Sequence, residues 1–258
     1  MKIATWNVNS IRARLPRLLD WLGRASPDIL CLQELKVANE EFPLDDVRAL
    51  GYHAAVFGQA TYNGVAILSK AEPQDVRTGL GDDPEDSQAR LIAATVAGVR
   101  VVSAYFPNGQ MVGTDKWEYK LAWIERLKAY LSAAYQPSDR LVLCGDFNIA
   151  PEDRDVARPD EWRWSVLCHE DARRALSPLA AWGLVDAVRL HHEGPGPYSW
   201  WDYRMLAFPK GNGLRIDHIL LTRPLANHCV GAWVEREERK GKLPSDHAPV
   251  MAELREVP

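Results

Sequence analysis

The sequence predicts a single-domain protein of the α/β (α+β) class, in which β-sheets are stacked in layers and covered by helices. Three observations predict this class: short apolar segments rich in β-branched residues recur along the chain, helical patterns lie between them, and no low-complexity linker divides it. The 258 residues are 47% hydrophobic and 26% charged, a composition typical of a globular protein with a sizeable core. We therefore expect one domain over residues 1–258.

The predicted strands are apolar segments bounded by Gly, Pro, Asp or Asn. Several are continuously apolar instead of alternating, which indicates that their sheets are covered on both faces. The clearest are Ile3–Val8, Asp28–Leu32, Gly64–Leu68, Leu91–Val96, Val99–Tyr105, Leu141–Cys144, Ile216–Leu221 and Val250–Leu254.

Three helices are predicted between these strands. Leu15–Arg24 ends before a Ser-Pro pair, and Asp115–Ala134 carries apolar residues at three- and four-residue spacing. Arg173–Trp182 is followed by Gly183, a residue that often ends helices in the left-handed conformation.

Composition and charge exclude several classes of protein. The chain has no stretch of about twenty apolar residues and no export signal at its first residues, so we expect a cytoplasmic protein with no membrane partner. Without a CxxC pair, the cysteines indicate neither a zinc cluster nor a disulfide framework; they are Cys31, Cys144, Cys168 and Cys229. The net charge of −4 means that any DNA contact depends on a local basic patch.

Polar residues end or follow five of the apolar segments. They are Asn7, Asn9, Gln33, Glu34, Asp146, Asn148, Asp217, Asp246 and His247. Each of these residues alone is more often a turn former, a cap or a salt-bridge partner. Polar residues at the ends of five segments together favour a single site, in which the strand ends converge on one rim of the sheets. Oxygen ligands suit Mg²⁺ or Mn²⁺, whereas zinc prefers His or Cys. Because Mg²⁺ keeps several waters and needs only one or two carboxylates, Glu34 could anchor it with limited help from other residues.

Seven short strings extend this pattern along the chain. They are WNVNSIRAR at 6–14, LQELK at 32–36, YFPNG at 105–109, GDFN at 145–148, SWWDYR at 199–204, GLRID at 213–217 and SDHAP at 245–249. In this order they resemble the exonuclease III and AP-endonuclease family of the endonuclease/exonuclease/phosphatase superfamily. The resemblance covers essentially the whole chain and implies a four-layered α/β sandwich, two packed β-sheets flanked by helices.

The resemblance implies a Mg²⁺-dependent DNA repair phosphodiesterase, with Mn²⁺ as a substitute metal. Its substrates would be double-stranded DNA with abasic sites, cleaved on the 5′ side, and 3′ ends, which it would trim. The implied catalytic residues are Tyr105, Asp146, Asn148, Asp217 and His247, and the implied metal site comprises Asn7, Glu34, Asp146, Asn148, Asp246 and His247. In this scheme Asp146 orients or deprotonates the attacking water, and Asp217 fixes the tautomer of His247.

DNA contacts are implied for a second set of residues, Asn108, Trp200, Arg204, Leu214 and Ile216. Trp200, Leu214 and Ile216 match an apolar pocket for a flipped-out abasic sugar, with core packing as the alternative for Ile216. Basic candidates for phosphate contacts are Arg12, Arg14, Lys36, Lys116, Lys120, Arg204 and Arg215. Some relatives have an acidic residue where this chain has Asn9, a weaker metal ligand, and the choice between one metal and two stays open.

Two alternative functions stay open at this point. The same metal and Asp–His chemistry serves superfamily members that act on phosphoinositides, sphingomyelin or RNA tails, although the YFPNG and SWWDYR strings favour the DNA-repair branch. A catalytically inactive DNA-binding relative would have lost some of the acidic, amide and imidazole residues, but all are present. A monomer is the default expectation.

Overall fold

Two six-stranded β-sheets pack face to face and carry helices on their outer sides. The structure is a computed structural model that describes residues 1–82 and 86–255. Its strands are β1 Lys2–Asn7, β2 Ile29–Gln33, β3 His53–Phe57, β4 Val65–Ser69, β5 Gln74–Thr78, β6 Leu91–Val96, β7 Val99–Tyr105, β8 Leu141–Asp146, β9 Leu184–Asp186, β10 Asp217–Thr222, β11 Cys229–Val234 and β12 Val250–Leu254.

The helices are short except for two. They are α1 Ile11–Ala25, α2 Leu44–Ala49, α3 Asp115–Ala134, α4 Pro159–Trp162, α5 Glu170–Leu176, α6 Pro178–Trp182 and α7 Arg223–Ala226, with 3-10 turns at Asn39–Glu41, Asp153–Asp155 and Arg236–Arg239. None of the helices in the described ranges is long and apolar enough to cross a membrane.

The core confirms the four-layered sandwich. One apolar cluster lies between the sheets and contains side chains of both, including Ile3, Ile67 and Val142. A second cluster lies between the β5–β10 sheet and α3, α5 and α6, and a third between the other sheet and α1 and α2. Strands buried on both faces read as continuous apolar runs, which is the pattern seen in the sequence.

Strand order brings one set of strand ends together. The sheets run β11-β12-β1-β2-β4-β3 and β5-β6-β7-β8-β10-β9. The pairs β1–β2 and β7–β8 are parallel, so Asn7 lies beside Gln33 and Tyr105 beside Asp146. Strand β10 is antiparallel to β8 and places Asp217 opposite Asp146. Both sheets thus present polar residues at the same rim.

The eight predicted strands are the eight inner strands of the two sheets. The bounds of β6, β7 and β12 are as predicted, and those of the other five are shifted by one or two residues. The sequence interpretation missed β3, β5, β9 and β11, which are the four edge strands. Edge strands are partly exposed, and β5 is exposed at every position. Strand β5 (QDVRT) accordingly has no apolar run. Strands β3 (HAAVF) and β11 (CVGAWV) do contain apolar residues and were overlooked.

The predicted helix Arg173–Trp182 is wrong as a single element. It consists of α5 and α6, and the break falls at Pro178, which lacks a backbone N–H and is suited to begin a helix. The expected end at Gly183 is confirmed, because this residue is left-handed with φ 118°. Helix α1 begins at Ile11, earlier than predicted, with the Ser10 hydroxyl as its cap.

Gly145 is the glycine that lets β8 lie close to β7. It lies in β8 with φ 147°, and a Cβ there would stand 1.8 Å from the carbonyl oxygen of Ala104 in β7. Gly145→Ala is expected to lower the free energy of unfolding by about 3 kcal/mol, because backbone strain and overpacking each cost about 1–3 kcal/mol.

Chemical denaturation measures this loss, with Gly23→Ala as the matched control. Gly23 lies in α1 with nothing within 4 Å of its built Cβ, so alanine is expected to add up to about 1 kcal/mol of stability there. If Gly145→Ala unfolded at the same denaturant midpoint as the wild type, β7 and β8 would not approach each other this closely.

Candidate active site

The rim side chains are aimed by strand ends and by unusual turns that follow them. Asn7 and Asp146 are the last residues of β1 and β8, and Asp217 is the first of β10. Glu34 follows β2 with φ 53°, and Asn148 follows β8 with φ 51°. Such left-handed conformations are uncommon and strained outside glycine. At these two positions the backbone adopts an unfavourable conformation that directs the side chains of Glu34 and Asn148 toward the rim.

Asn7 joins the two acidic residues of opposite sheets. Its Nδ2 donates to Glu34 Oε1 at 2.8 Å and to Asp146 Oδ2 at 2.9 Å. Its Oδ1 accepts from the backbone N–H of Asn9 at 2.9 Å, which fixes the orientation of the amide. Asn7 therefore presents a donor nitrogen, not a ligand oxygen, to the carboxylates.

Asp217 holds His247 in a single orientation. Their contact runs from His247 Nδ1 to Asp217 Oδ2 at 2.8 Å, with the second carboxylate oxygen at 3.1 Å. Ser199 fixes Asp217 in turn, because its hydroxyl donates to Oδ2 at 2.6 Å and accepts from the backbone N–H groups of Ile216 and Asp217. The Nδ1 proton thus faces Asp217, and Nε2 faces Asp146 Oδ2 at 3.7 Å.

Burial and neighbouring charge shift the ionisation of this group. Burial raises the pKa of Asp146 to about 7, with the charge of Asp217 adding to the effect and that of His247 opposing it. Burial by itself would lower the pKa of His247, but the charges of Asp217 and Asp146 outweigh it and raise that pKa to about 10. His247 is therefore an imidazolium at neutral pH and offers a proton at Nε2.

Amide and hydroxyl groups surround Asp146. The backbone N–H of Asn148 donates to Asp146 Oδ1 at 2.8 Å. Asn148 Nδ2 donates to the carbonyl of Phe106 at 3.0 Å, and its Oδ1 accepts from Asn108 Nδ2 at 3.0 Å. Burial, with the charges of Glu34 and Asp146, raises the pKa of Tyr105 well above its usual range, so its hydroxyl stays protonated.

The donor set fits a hard divalent cation. Ligand atoms of Glu34, Asp146 and His247 lie within 4.8 Å of one another, and theirs is the one such group in the described part of the chain. Two carboxylates suit Mg²⁺, which completes its octahedron with water, and a cation would offset the repulsion between buried acidic groups. The Glu34 side chain is 18% exposed, so the group opens to solvent.

Asp246 lies outside this group and takes part in a series of polar contacts that begins at Glu34. Lys36 Nζ contacts Glu34 Oε2 at 3.0 Å and donates to Asn9 Oδ1 at 2.6 Å. Asn9 Nδ2 donates to Asp246 Oδ1 at 3.0 Å, and Trp200 Nε1 donates to Asp246 Oδ2 at 2.9 Å. Both oxygens of Asp246 thus have partners, and the series connects Glu34 to Trp200.

The residues expected at DNA fall in different environments. Asn108 contacts Asn148 at the rim, and Trp200 is half-buried beside Trp162, with ring centroids 5.6 Å apart. The Arg204 side chain is 84% exposed and pairs with Asp202. Leu214 and Ile216 are buried in the helix-covered core cluster, so they add no accessible surface to a pocket.

Two phosphate-contact candidates from the sequence are wrong. Lys120 is fully buried and donates to backbone carbonyls. Arg215 is 1% exposed, and its guanidinium donates to Asp155 and Asp186, both at 2.7 Å. Neither cation reaches the surface, so neither can meet a phosphate.

Sequence reasoning also missed two serines that orient the site. Ser199 supports Asp217, and Ser245 Oγ donates to the carbonyl of Asn7 at 2.7 Å while accepting from the backbone N–H of His247. Ser199 is the first residue of the SWWDYR string and Ser245 is the first residue of the SDHAP string. Their positions next to Trp200 and Asp246 could have identified them as site residues.

The packed sheets and the carboxylate, amide and imidazole rim define the class of protein. The sequence model of the Endonuclease/Exonuclease/phosphatase family matches residues 4–247, and the chain belongs to this family. This confirms the resemblance and the fold that were inferred from the sequence.

Individual relatives are similar over their full length. Exodeoxyribonuclease III of Haemophilus influenzae is 36% identical, with 99% of this chain and 100% of that protein covered. The structure of an AP endonuclease from Archaeoglobus fulgidus is 44% identical, with a TM-score of 0.96 and 99% of both chains covered. The 3′ phosphatase NExo from Neisseria, bound to a product DNA hairpin, is 43% identical, with a TM-score of 0.95 and coverage of 98% and 99%.

Glu34→Gln is expected to weaken Mn²⁺ or Mg²⁺ binding at least tenfold, because it removes one of the two carboxylates of the group. Isothermal titration calorimetry checks this prediction. Glu40→Gln, an exposed neighbour in sequence, is the control and should bind like the wild type. Equal affinity in the Glu34 and Glu40 variants would place the metal elsewhere.

Proposed function

We propose that this protein is a Mg²⁺-dependent DNA repair nuclease that cleaves on the 5′ side of abasic sites and trims 3′ ends of duplex DNA. The observation that carries the proposal is the buried Asp217–His247–Asp146 arrangement beside Glu34. The DNA-acting relatives described above support the choice of substrate. Mg²⁺ is the proposed metal, with Mn²⁺ as a substitute.

Hydrolysis of a phosphodiester needs an activated water and stabilisation of charge on the phosphate. Asp146, with its pKa near 7, suits the role of the base that orients and deprotonates the water. His247 donates from Nε2 to a non-bridging oxygen, and Asp217 keeps the ring in position. When bound, the metal would supply Lewis-acid stabilisation of the phosphate charge and would be held by the carboxylates of Glu34 and Asp146. His247, protonated at both ring nitrogens, has no lone pair for the metal in this scheme.

Other rim groups assist the same phosphate. Tyr105 stays a neutral hydroxyl donor because its pKa is raised. Asn148 is the proposed contact to the phosphate or to the water, and Asn108 is held against it. Asp246 and Asn7 act on the metal site through their neighbours in this proposal, since their polar atoms contact Asn9, Trp200 and the two carboxylates.

The sugar-recognition role is proposed for Trp200, which is half-buried at the rim and anchored by its hydrogen bond to Asp246. Leu214 and Ile216 would support this wall from behind, since they are buried. The exposed Arg204 remains the proposed contact to the DNA strand. An apolar wall of this kind favours a sugar without a base, which leaves the helix at low cost.

Cellular location and assembly are also proposals. A cytoplasmic location is supported by four free cysteines, of which three are buried, as expected in a reducing compartment. A monomer is supported by the site itself, because a single chain supplies the rim residues of both sheets.

The decisive assay uses a duplex with one stable abasic analogue and a second duplex with a recessed 3′ end, each with Mg²⁺ or EDTA. Metal-dependent incision 5′ to the lesion is expected. Asp146→Asn should lower kcat about 100- to 10,000-fold, because it removes a general base. Asp45→Asn, with a fully exposed side chain, is the matched control and should keep wild-type activity.

Three outcomes separate the alternatives in this assay. Folded wild-type protein that cuts neither duplex with Mg²⁺ or Mn²⁺ contradicts the proposal. Activity on phosphoinositides, sphingomyelin or oligo(A) in place of DNA would then assign the chain to another branch of the family. Tight DNA binding without cleavage would identify an inactive relative.

A further inference from the structure

The buried side chain of Lys120 has no role in the reaction described so far. It lies in α3 and is 0% exposed. Its Nζ donates to the backbone carbonyls of Val166 at 2.7 Å, Asn148 at 2.8 Å and Asn108 at 3.2 Å. No carboxylate of the described residues forms an ion pair with it. The ammonium also lies 5.8 Å from the centroid of the Trp117 ring. A buried ammonium without a carboxylate partner is costly to keep, since burial without a counter-ion opposes its charge.

The arrangement of acceptors is suited to the charged form of this lysine. An ammonium has three N–H donors, one for each carbonyl, whereas a neutral amine has only two. Burial lowers the pKa of Lys120, whereas the negative charge of Asp146 opposes this shift, and the three carbonyl acceptors favour the ammonium. A methionine would fill a similar volume without the desolvation cost. Packing alone therefore gives no reason for a lysine at this position.

The three carbonyls come from three loops that surround the catalytic rim. Asn108 follows β7, Asn148 follows β8, and Val166 lies between α4 and α5. The side chains of Asn108 and Asn148 are hydrogen-bonded to each other, and the backbone of Asn148 donates to Asp146. The first of these loops also packs on the lysine stem, because a Cβ at Gly109 would lie 3.0 Å from Lys120 Cδ.

The third loop extends the contact to the other side of the site. Val166 lies four residues after Trp162, whose ring packs edge-on against Trp200. Trp200 is in turn bonded to Asp246. The Lys120 ammonium thus contacts the backbones of Asn108 and Asn148, whose side-chain amides are proposed to lie near the phosphate. It also contacts the loop of Val166, which follows the tryptophan that packs against the proposed sugar-binding residue Trp200.

We propose that Lys120 is a positioning residue of the nuclease reaction: its ammonium fixes the three loops relative to one another, so that Asn108 and Asn148 meet the phosphate in the geometry of the transition state. The inference rests on the proposed function. It deepens that function by adding a residue that touches neither DNA nor metal and acts through backbone carbonyls.

Lys120→Met tests the proposal on the abasic duplex, well below the unfolding temperature and with circular dichroism as the check on folding. We expect kcat to fall about 100-fold, because misplacement of reacting groups by about 1 Å has an effect of that size. KM should change less than threefold, since Lys120 does not touch DNA. Lys120→Arg keeps the charge and N–H donors and should recover part of kcat. Lys128→Met, in the same helix and at the surface, should match the wild type.

A double-mutant cycle with Asn108→Ala separates positioning from general stabilisation. If Lys120 acts through Asn108, the double variant should be no more than about threefold slower than the slower single variant, because the two losses overlap. Losses that multiply, or a kcat for Lys120→Met within twofold of the wild type, would overturn the inference. Should Lys120→Met not fold, Lys120→Gln, which retains two N–H donors, enters the same cycle with the same deciding outcomes. Wild-type protein that cuts no DNA would instead contradict the proposed function.

Discussion

The amide of Asn7 bridges the two β-sheets at the point where acidic side chains from both sheets meet. It donates to Glu34 of its own sheet and to Asp146 of the other, so the position of one carboxylate depends on that of the other. The registers of the parallel pairs and of β10 set the remaining rim residues relative to these two. Burial then raises the pKa of Asp146, while the surrounding acids keep His247 protonated. The proposed base, the proposed acid and the proposed metal ligands therefore follow from one constraint, the stacking of two sheets with their polar ends on the same side.

The sequence predicted the parts of the fold that are buried on both faces. All eight inner strands were recognised because burial on both faces selects continuous apolar residues. The four edge strands were missed. Gln74–Thr78 is exposed at every position and has no periodicity to mark it, whereas Cys229–Val234 is apolar and was overlooked. The break between Leu176 and Pro178 was also missed because the apolar spacing continues across it, although the proline was visible in the sequence.

Site residues were more predictable than site contacts. Polar residues at the ends of apolar strands are visible in the sequence, and the structure brings Glu34, Asp146, Asp217 and His247 together as expected. Contacts that depend on packing between distant segments were not predictable. The sequence made Lys120 a candidate for a phosphate contact, and only the tertiary structure shows it buried among carbonyls of three loops. Ser199 was visible within a motif, but its bond to Asp217 required the two segments to be adjacent in space.

The most direct test of the account is a crystal structure of the protein with Mn²⁺ and cleaved abasic duplex, with the metal located by anomalous scattering. The account predicts a metal peak about 2–2.5 Å from a Glu34 carboxylate oxygen and a phosphate oxygen within hydrogen-bond distance of His247 Nε2. A metal bound away from Glu34, or a product phosphate that does not contact His247, would contradict it.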